Sequence, residues 1–228
     1  MDFFEAANSR RSIRNYSSKP VPADVINKAI DTALIAPNSS NAQTWQFHWV
    51  RTEQKKKDLV VACLGQGAAA TAQELLVVSV RPSNWKITTK DILTNAILPG
   101  MEKPMRSYYA KAVPFIYGFQ IIAPIKWLII NITGIFKAVP RKPWSLRDRE
   151  EICIKSAALA SQNFMLAISA QGFDSCPMEG FDEARVKKIL NLKFSDRVVM
   201  VISVGERTDR GVWGKRYRSP REWFVYEI

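Results

Sequence analysis

The chain has 228 residues, 47% of them hydrophobic and 24% charged, which is enough for one substantial core and excludes a disordered chain. Its 33 lysines and arginines against 21 acidic residues give a net charge of +12, so nucleic acid, an anionic membrane and an anionic small molecule are candidate partners. A single histidine and three scattered cysteines disfavour most zinc sites and a disulfide framework, and they indicate chemistry supplied by a cofactor.

In the first third of the chain, apolar residues are spaced as in a helix in some segments and as in a strand in others. Phe3, Phe4 and Ala7 suit one face of a short first helix, preceded by no apolar run of the signal-peptide kind, so we expect a cytoplasmic protein. Pro22 opens a helix with a buried stripe, and Pro37 stops it. The remaining predicted elements are a half-buried strand over 45–51, a helix over 53–64 and a buried strand over 75–80.

The last third contains the longest predicted helix. Ser145 and Asp148 form a capping-box pattern at its start, and Gly172 ends it. A second helix begins near Asp182, and the apolar run 198–204 is typical of a strand in the middle of a sheet. The chain shows no repeat or linker, so we expect a single domain over 1–228, with an apolar insert at about 83–143.

Residues 113–139, within that insert, are almost entirely apolar and long enough to span a membrane. Pro124 and Lys126 near the midpoint make a transmembrane helix costly. We therefore expect two short helices, broken at Pro124, that cover an active site or lie on a membrane surface.

Two basic motifs lie near opposite ends of the chain. Guanidinium groups offer paired donors to phosphate oxygens, so both motifs can bind phosphate. A solvated basic turn is the alternative for the first motif and a nucleic-acid patch for the second. Their residues are Arg10, Arg11, Ser12 and Arg14, and then Lys215 and Arg216.

Two polar loops complete the candidate site. Residues 36–45 place small polar side chains between a helix and a strand, which suits the edge of a heteroaromatic ring. Residues 176–181 combine proline and glycine before a helix start, where a backbone N–H can face an electron-rich ring. A connecting loop and a strand-to-helix turn are the alternatives.

Together and in this order, the four motifs resemble the nitroreductase family, over nearly the whole chain except residues from about 83 to 143. The family's Arg-x-Ser-x-Arg/Lys clamp for the FMN phosphate is matched by Arg10, Ser12 and Arg14, with Arg11 alongside. The resemblance implies that a late basic residue returns to the phosphate, with Arg216 the first choice and Lys215 the second.

The two loops match family segments that contact the flavin ring. Asn38 and Thr44 stand where the family often has serine and proline. Both keep the local polarity, so we expect them to alter the details of the contacts with FMN without preventing its binding. The residues assigned to the segment that reaches the partner subunit's flavin are Pro37, Asn38, Ser39, Asn41 and Gln43. Those assigned to the segment along the ring are Pro177, Met178, Glu179 and Gly180.

The resemblance implies an α+β, three-layer fold with a central mixed β-sheet flanked by helices, in an intertwined homodimer. It also implies hydride transfer from NADH or NADPH, through FMN, to a nitroaromatic, quinone or similar oxidant in a ping-pong cycle. No catalytic side chain and no metal are expected, because the flavin carries the chemistry. The alternatives are a membrane-surface flavoprotein acting on an apolar, quinone-like substrate and a basic nucleic-acid-binding protein.

Overall fold

The computed structural model of the chain describes residues 1–118 and 122–228. Its helices are α1 (Phe3–Ser9), α2 (Ala23–Leu34), α3 (Glu53–Ala62), α4 (Gly67–Ala70), α5 (Trp85–Asn95), α6 (Glu102–Ser107), α7 (Val113–Tyr117), α8 (Ala123–Phe136), α9 (Leu146–Ala170) and α10 (Glu183–Leu190). Its strands are β1 (Trp45–Val50), β2 (Glu74–Val80), β3 (Asp174–Met178) and β4 (Arg197–Gly205). These elements confirm an α+β fold.

The four strands form one sheet in the order β1-β2-β4-β3. β4 lies inside the sheet, as its continuous apolar run predicts. The three strand pairings are antiparallel, with a register shift between Val78 and Ser79. The expectation of a mixed sheet is therefore corrected for these strands. Among the described residues, parallel pairing occurs only as an isolated bridge between Ser12 and Ser175.

Side chains of β2 alternate between two apolar clusters on opposite faces of the sheet. Leu76 and Val78 pack in one core with α2 and α9, whereas Leu75 and Val77 pack in a second core with α3 and α10. Successive strand residues point to opposite faces, so one buried strand supports both layers. The result is the three-layer arrangement that the family resemblance implied.

Helix α9 is the central helix of the larger core. The Ser145 side chain accepts from the Asp148 N–H and the Asp148 carboxylate accepts from the Ser145 N–H, which confirms the predicted capping box. The helix is long and apolar enough to cross a membrane, but half of its apolar window is buried inside the molecule. Its apolar character is explained by this packing.

The short first helix is confirmed, but the residues grouped on one face of it are not the ones that this chain buries. Phe3 and Phe4 are 64% and 74% exposed, and Ala6 is the residue that the helix buries against the core. Ala6 lies on the side of α1 that packs against α9. The Ser169 hydroxyl donates to the Ala6 carbonyl at 3.0 Å.

The insert, residues 83–143, forms α5 to α8, with a π-helical turn over Tyr108–Ala112. Pro124 lies in the first turn of α8, so it begins this helix rather than breaking one. Lys126 is buried and donates to the Phe115 carbonyl at 2.6 Å, which fixes α8 to α7. Ile121, expected among the apolar residues of the insert, lies outside the described residues.

Candidate active site

A basic cleft of about 160 Å³ joins the two ends of the chain. Residues that are about two hundred positions apart in sequence line it side by side. They are Arg10, Arg11, Ser12, Arg14, Arg216, Tyr217 and Arg218. Arg216, the first-choice late basic residue, lies in the cleft, whereas Lys215 is not among its lining residues.

Backbone contacts hold the two basic segments in place. The Ile13 N–H donates to the Ser175 carbonyl at 3.2 Å, which seats the first segment on the outer edge of β3. The Arg216 guanidinium donates to the Arg10 carbonyl at 2.7 Å, and that of Arg11 donates to the Gly214 carbonyl, also at 2.7 Å. Each contact uses one of the five N–H donors of a guanidinium group. The other donors remain available to a ligand in the cleft.

Among the described residues, the arginines of this cleft form no ion pair with a carboxylate. Burial lowers the pKa of Arg10, and the positive charges of Arg216 and Arg218 lower it further. The Arg14 guanidinium lies 4.3 Å from the centre of the Trp213 ring, so an aromatic face rather than a carboxylate is its described partner. A cluster of like charges with these donors is suited to a dianionic phosphate.

The segment 177–180 continues from β3 beside this cleft. Pro177 has no N–H to donate, which suits its place on an outer strand of this sheet. Met178 is buried, whereas Glu179 and Gly180 are exposed. The Gln66 side-chain amide donates to the Gly180 carbonyl at 2.6 Å and holds the turn. The sequence motifs did not identify Gln66, because its role depends on a contact across 114 positions.

The loop 37–43 adopts a constrained backbone. Ser40, Asn41 and Gln43 have φ values of 57°, 48° and 44°, in the left-handed region. The Asn38 carboxamide oxygen accepts from the Gln43 N–H at 2.9 Å and closes the loop from within. Asn38 thus has a local structural role that a serine, with its shorter side chain, would fill differently.

Three tyrosines of the insert hold this loop from outside. The Tyr117 hydroxyl donates to the Ser39 carbonyl at 2.8 Å, and that of Tyr109 donates to the Ser40 carbonyl at 3.3 Å. The Tyr108 hydroxyl lies 2.9 Å from the Ser40 hydroxyl. The sequence motifs do not include these tyrosines. Three tyrosines in an apolar segment are nevertheless a signal, because buried hydroxyls need hydrogen-bond partners.

We expect Tyr117→Phe to destabilise the protein by about 1–2 kcal/mol, because it leaves the Ser39 carbonyl without this buried donor. Tyr117 is 1% exposed and its ring stacks on Trp85 at 6.4 Å, so the apolar packing survives the change. Urea unfolding measures the loss, and faster hydrogen exchange at the Ala42 amide reports the loosened loop. Tyr226→Phe is the matched control, since that hydroxyl also donates to a carbonyl but its residue is 74% exposed. Equal effects in the two variants would contradict the assigned role.

The described contacts join three of the four motifs, and none of them joins the fourth motif to the others. Residues 10–14, 177–180 and 216 lie around the outer edge of β3. The described contacts of the 37–43 loop are made instead with the insert tyrosines and with α9, where the Ser39 N–H donates to the Ser156 hydroxyl at 3.5 Å. The single histidine, His48, lies within β1, where its Nε2 is 2.8 Å from the Ser79 hydroxyl.

An apolar cavity of about 430 Å³ lies between the insert and α9, next to Ser39. Lys137 and Lys142 are its charged lining residues. Its apolar lining includes Phe115, Ile116, Ile129, Ile130, Val139 and Ile152. The cavity is large enough for a small aromatic molecule.

The three-layer α+β fold carries a basic cleft at a sheet edge and an apolar cavity beside α7 and α8, and this combination describes an oxidoreductase scaffold. The chain belongs to the nitroreductase family: the model described as "Nitroreductase family" matches residues 7–206.

Two relatives agree with this family, and a solved structure agrees with the fold. Protein DrgA of Synechocystis is 27% identical over 96% of this chain and 91% of the relative. YdgI of Bacillus subtilis, whose name refers to an NAD(P)H nitroreductase, is 28% identical over 96% of this chain and 94% of the relative. A protein of Exiguobacterium sibiricum solved in complex with FMN has a TM-score of 0.72 at 21% identity, covering 100% of this chain and 98% of that one.

Proposed function

We propose that this protein binds FMN and transfers hydride from NADH or NADPH to a small oxidant, a nitroaromatic, quinone or similar molecule, in a ping-pong cycle. The observation that carries the proposal is the arginine cleft assembled from both ends of the chain beside β3. The name of YdgI refers to NAD(P)H, and the Exiguobacterium structure contains FMN, which agrees with this chemistry.

The residues of the cleft fit the phosphate of FMN. A phosphate monoester carries close to two negative charges and several acceptor oxygens, and guanidinium groups match both. In our proposal the phosphate accepts from Arg10, Arg14 and Arg216, with Arg11 and Ser12 alongside. Lys215 is next to the cleft in sequence and adds to its positive potential.

The ring would lie along the exposed turn after β3. Pro177 and Met178 form the strand end, and the exposed Glu179 and Gly180 leave their backbone accessible to a planar ring. A backbone N–H near Glu179 is the proposed hydrogen-bond donor to the ring. FMN, when bound, supplies the hydride chemistry, so the chain needs to bind and orient rather than provide an acid or a base.

A second copy of the chain would complete the site. Pro37, Ser39, Asn41 and Gln43 are exposed, and no described contact joins their loop to the basic cleft of the same chain. The tail over 223–226 is also exposed, with Trp223, Phe224 and Tyr226 each more than half accessible. We propose a homodimer in which the loop of one protomer, with Asn38 closing it, contacts the flavin bound by the other.

The apolar cavity next to Ser39 is the proposed place for an apolar part of the oxidant. In that arrangement the insert acts as a lid over the site, within a single domain spanning 1–228.

The visible spectrum of the purified protein tests the proposed function. We expect flavin absorption that bleaches when NADH or NADPH is added without oxygen and returns when a quinone or nitroaromatic is added. Size measurement by light scattering should give a dimer. A colourless monomer that does not take up added FMN would overturn the proposal.

A further inference from the structure

Helix α8 presents an apolar face to solvent. Positions three and four apart lie on the same side of a helix, and six such residues form one stripe on α8. Each is at least half exposed, and Phe136 is 82% exposed. We call this stripe the α8 face; its residues are Ile125, Leu128, Ile129, Ile132, Ile135 and Phe136.

The opposite side of α8 is fixed to the protein. Lys126 and Ile130 are buried there, and the Lys126 ammonium donates to the Phe115 carbonyl. At the far end, the Arg141 guanidinium donates to the Gly134 carbonyl at 2.9 Å and to the Asn131 side chain at 3.2 Å. The helix therefore has a defined orientation, with its apolar side outward. Six exposed apolar side chains side by side on one helix indicate a surface that contacts another molecule.

Positive charge flanks this face along the chain. Residues 83–143 contain nine lysines and arginines and two acidic residues, so this quarter of the chain carries +7 of the total +12. Lys137 and Arg141 follow the helix and are exposed, and the exposed Lys142 pairs with the Asp148 and Glu151 carboxylates at 3.4 Å. An apolar helix face flanked by basic residues is the pattern of helices that lie in the interface of an anionic bilayer.

We propose that the α8 face docks on the surface of an anionic lipid bilayer. The helix lies in the plane of the interface, with its isoleucines among the acyl chains and Lys137 at the phosphate groups. With 14 residues, α8 is too short to span the hydrocarbon core. The surrounding charge favours anionic lipid over a second copy of the chain, because two such copies would bring like charges together.

Vesicle co-sedimentation of the full chain tests this proposal. We expect binding to vesicles of phosphatidylcholine and phosphatidylglycerol, much weaker binding to phosphatidylcholine alone, and a decrease as salt is raised. Ile135→Gln with Phe136→Gln should weaken the partition at least about tenfold, because it removes two of the most exposed apolar side chains of the face.

The matched control is Leu64→Gln with Phe194→Gln. These residues are 71% and 92% exposed, against 76% and 82% for Ile135 and Phe136, and they lie outside the insert. Circular dichroism confirms that both double variants fold. Absence of binding to anionic vesicles, or an equal loss in both double variants, would overturn the proposal. So would an α8 variant that keeps full vesicle binding but changes the oligomeric state, since the face would then be an interface between copies. Flavin content is measured separately, so failure of docking leaves the proposed redox function intact.

Discussion

Replacing Arg10 and Arg14 together by glutamine is expected to weaken FMN binding at least about hundredfold, so that the purified protein is nearly colourless. Hydrogen bonds between charged partners contribute about 1.5–3 kcal/mol each, and the double variant removes two cationic partners of the proposed phosphate site. Each 1.4 kcal/mol corresponds to about tenfold in the dissociation constant. Fluorescence titration of the flavin-free protein with FMN measures the change.

The stability of the flavin-free protein separates this effect from misfolding. Nearby like charges contribute to the lowered pKa of Arg10, so neutralising it relieves repulsion in the empty cleft. Arg14 loses its contact with the Trp213 ring, which is worth about 0.5–1 kcal/mol at an exposed site. The two changes partly cancel, and we expect the unfolding free energy without FMN to change by less than about 1 kcal/mol.

The control for this variant is Arg106→Gln with Arg147→Gln, which removes the same charge from two exposed arginines outside the cleft. It should retain flavin. If the Arg10 and Arg14 double variant kept full flavin occupancy, the phosphate assignment would be wrong. If the control lost flavin equally, general positive potential rather than the cleft would be responsible.

Elements defined by local chemistry were predictable from the sequence. The capping box of Ser145 and Asp148 fixes the start of α9 through hydrogen bonds between residues three apart. The run from Val198 to Val204 indicates an inner strand because its side chains suit burial on both faces. The first basic motif was recognisable from its sequence alone, and its residues do line the cleft, whereas their binding of a phosphate stays a prediction.

Features defined by tertiary contacts were not predictable. Phe3 and Phe4 look like a core face, but only the position of α9 decides that Ala6 is buried instead. The tyrosines of the insert lie about seventy positions from the 37–43 loop, so no local pattern links them to it. The relative direction of two strands is likewise set by the path of the chain between them. Neither the β3 sequence nor the β4 sequence alone therefore indicates that the two strands pair antiparallel.

Asp196→Ala is expected to destabilise the protein by about 3–5 kcal/mol, because it leaves a cation in a largely enclosed position without its partner. The Asp196 side chain is fully buried and accepts from the Arg81 guanidinium at 2.7, 3.0 and 3.2 Å, and from the Lys193 N–H at 3.1 Å. Arg81 follows the last residue of β2, and Asp196 precedes the first residue of β4. The ion pair therefore joins the ends of two central strands. Chemical unfolding measures the free energy of unfolding that the variant loses.

Asp24→Asn is the control, since Asp24 pairs with Lys28 at 3.4 Å while both side chains are about two thirds exposed. We expect that substitution to change stability by less than about 1 kcal/mol. A loss that is similar for Asp24 and Asp196 would contradict the structural role of the buried pair.

The same pair should make stability depend on pH. Burial alone would raise the pKa of Asp196, but the Arg81 guanidinium and the Lys193 N–H outweigh it, so the pKa is lowered. A lowered folded-state pKa stabilises the protein above the unfolded-state value, about 3.9, and this contribution is lost as the pH falls toward the folded-state value. Asp196→Asn has no carboxylate to protonate, so the stability difference between it and the wild type should be constant near neutrality and shrink below about pH 4. A difference that stayed constant down to the acid unfolding of the wild type would mean that the carboxylate charge does not stabilise this end of the sheet.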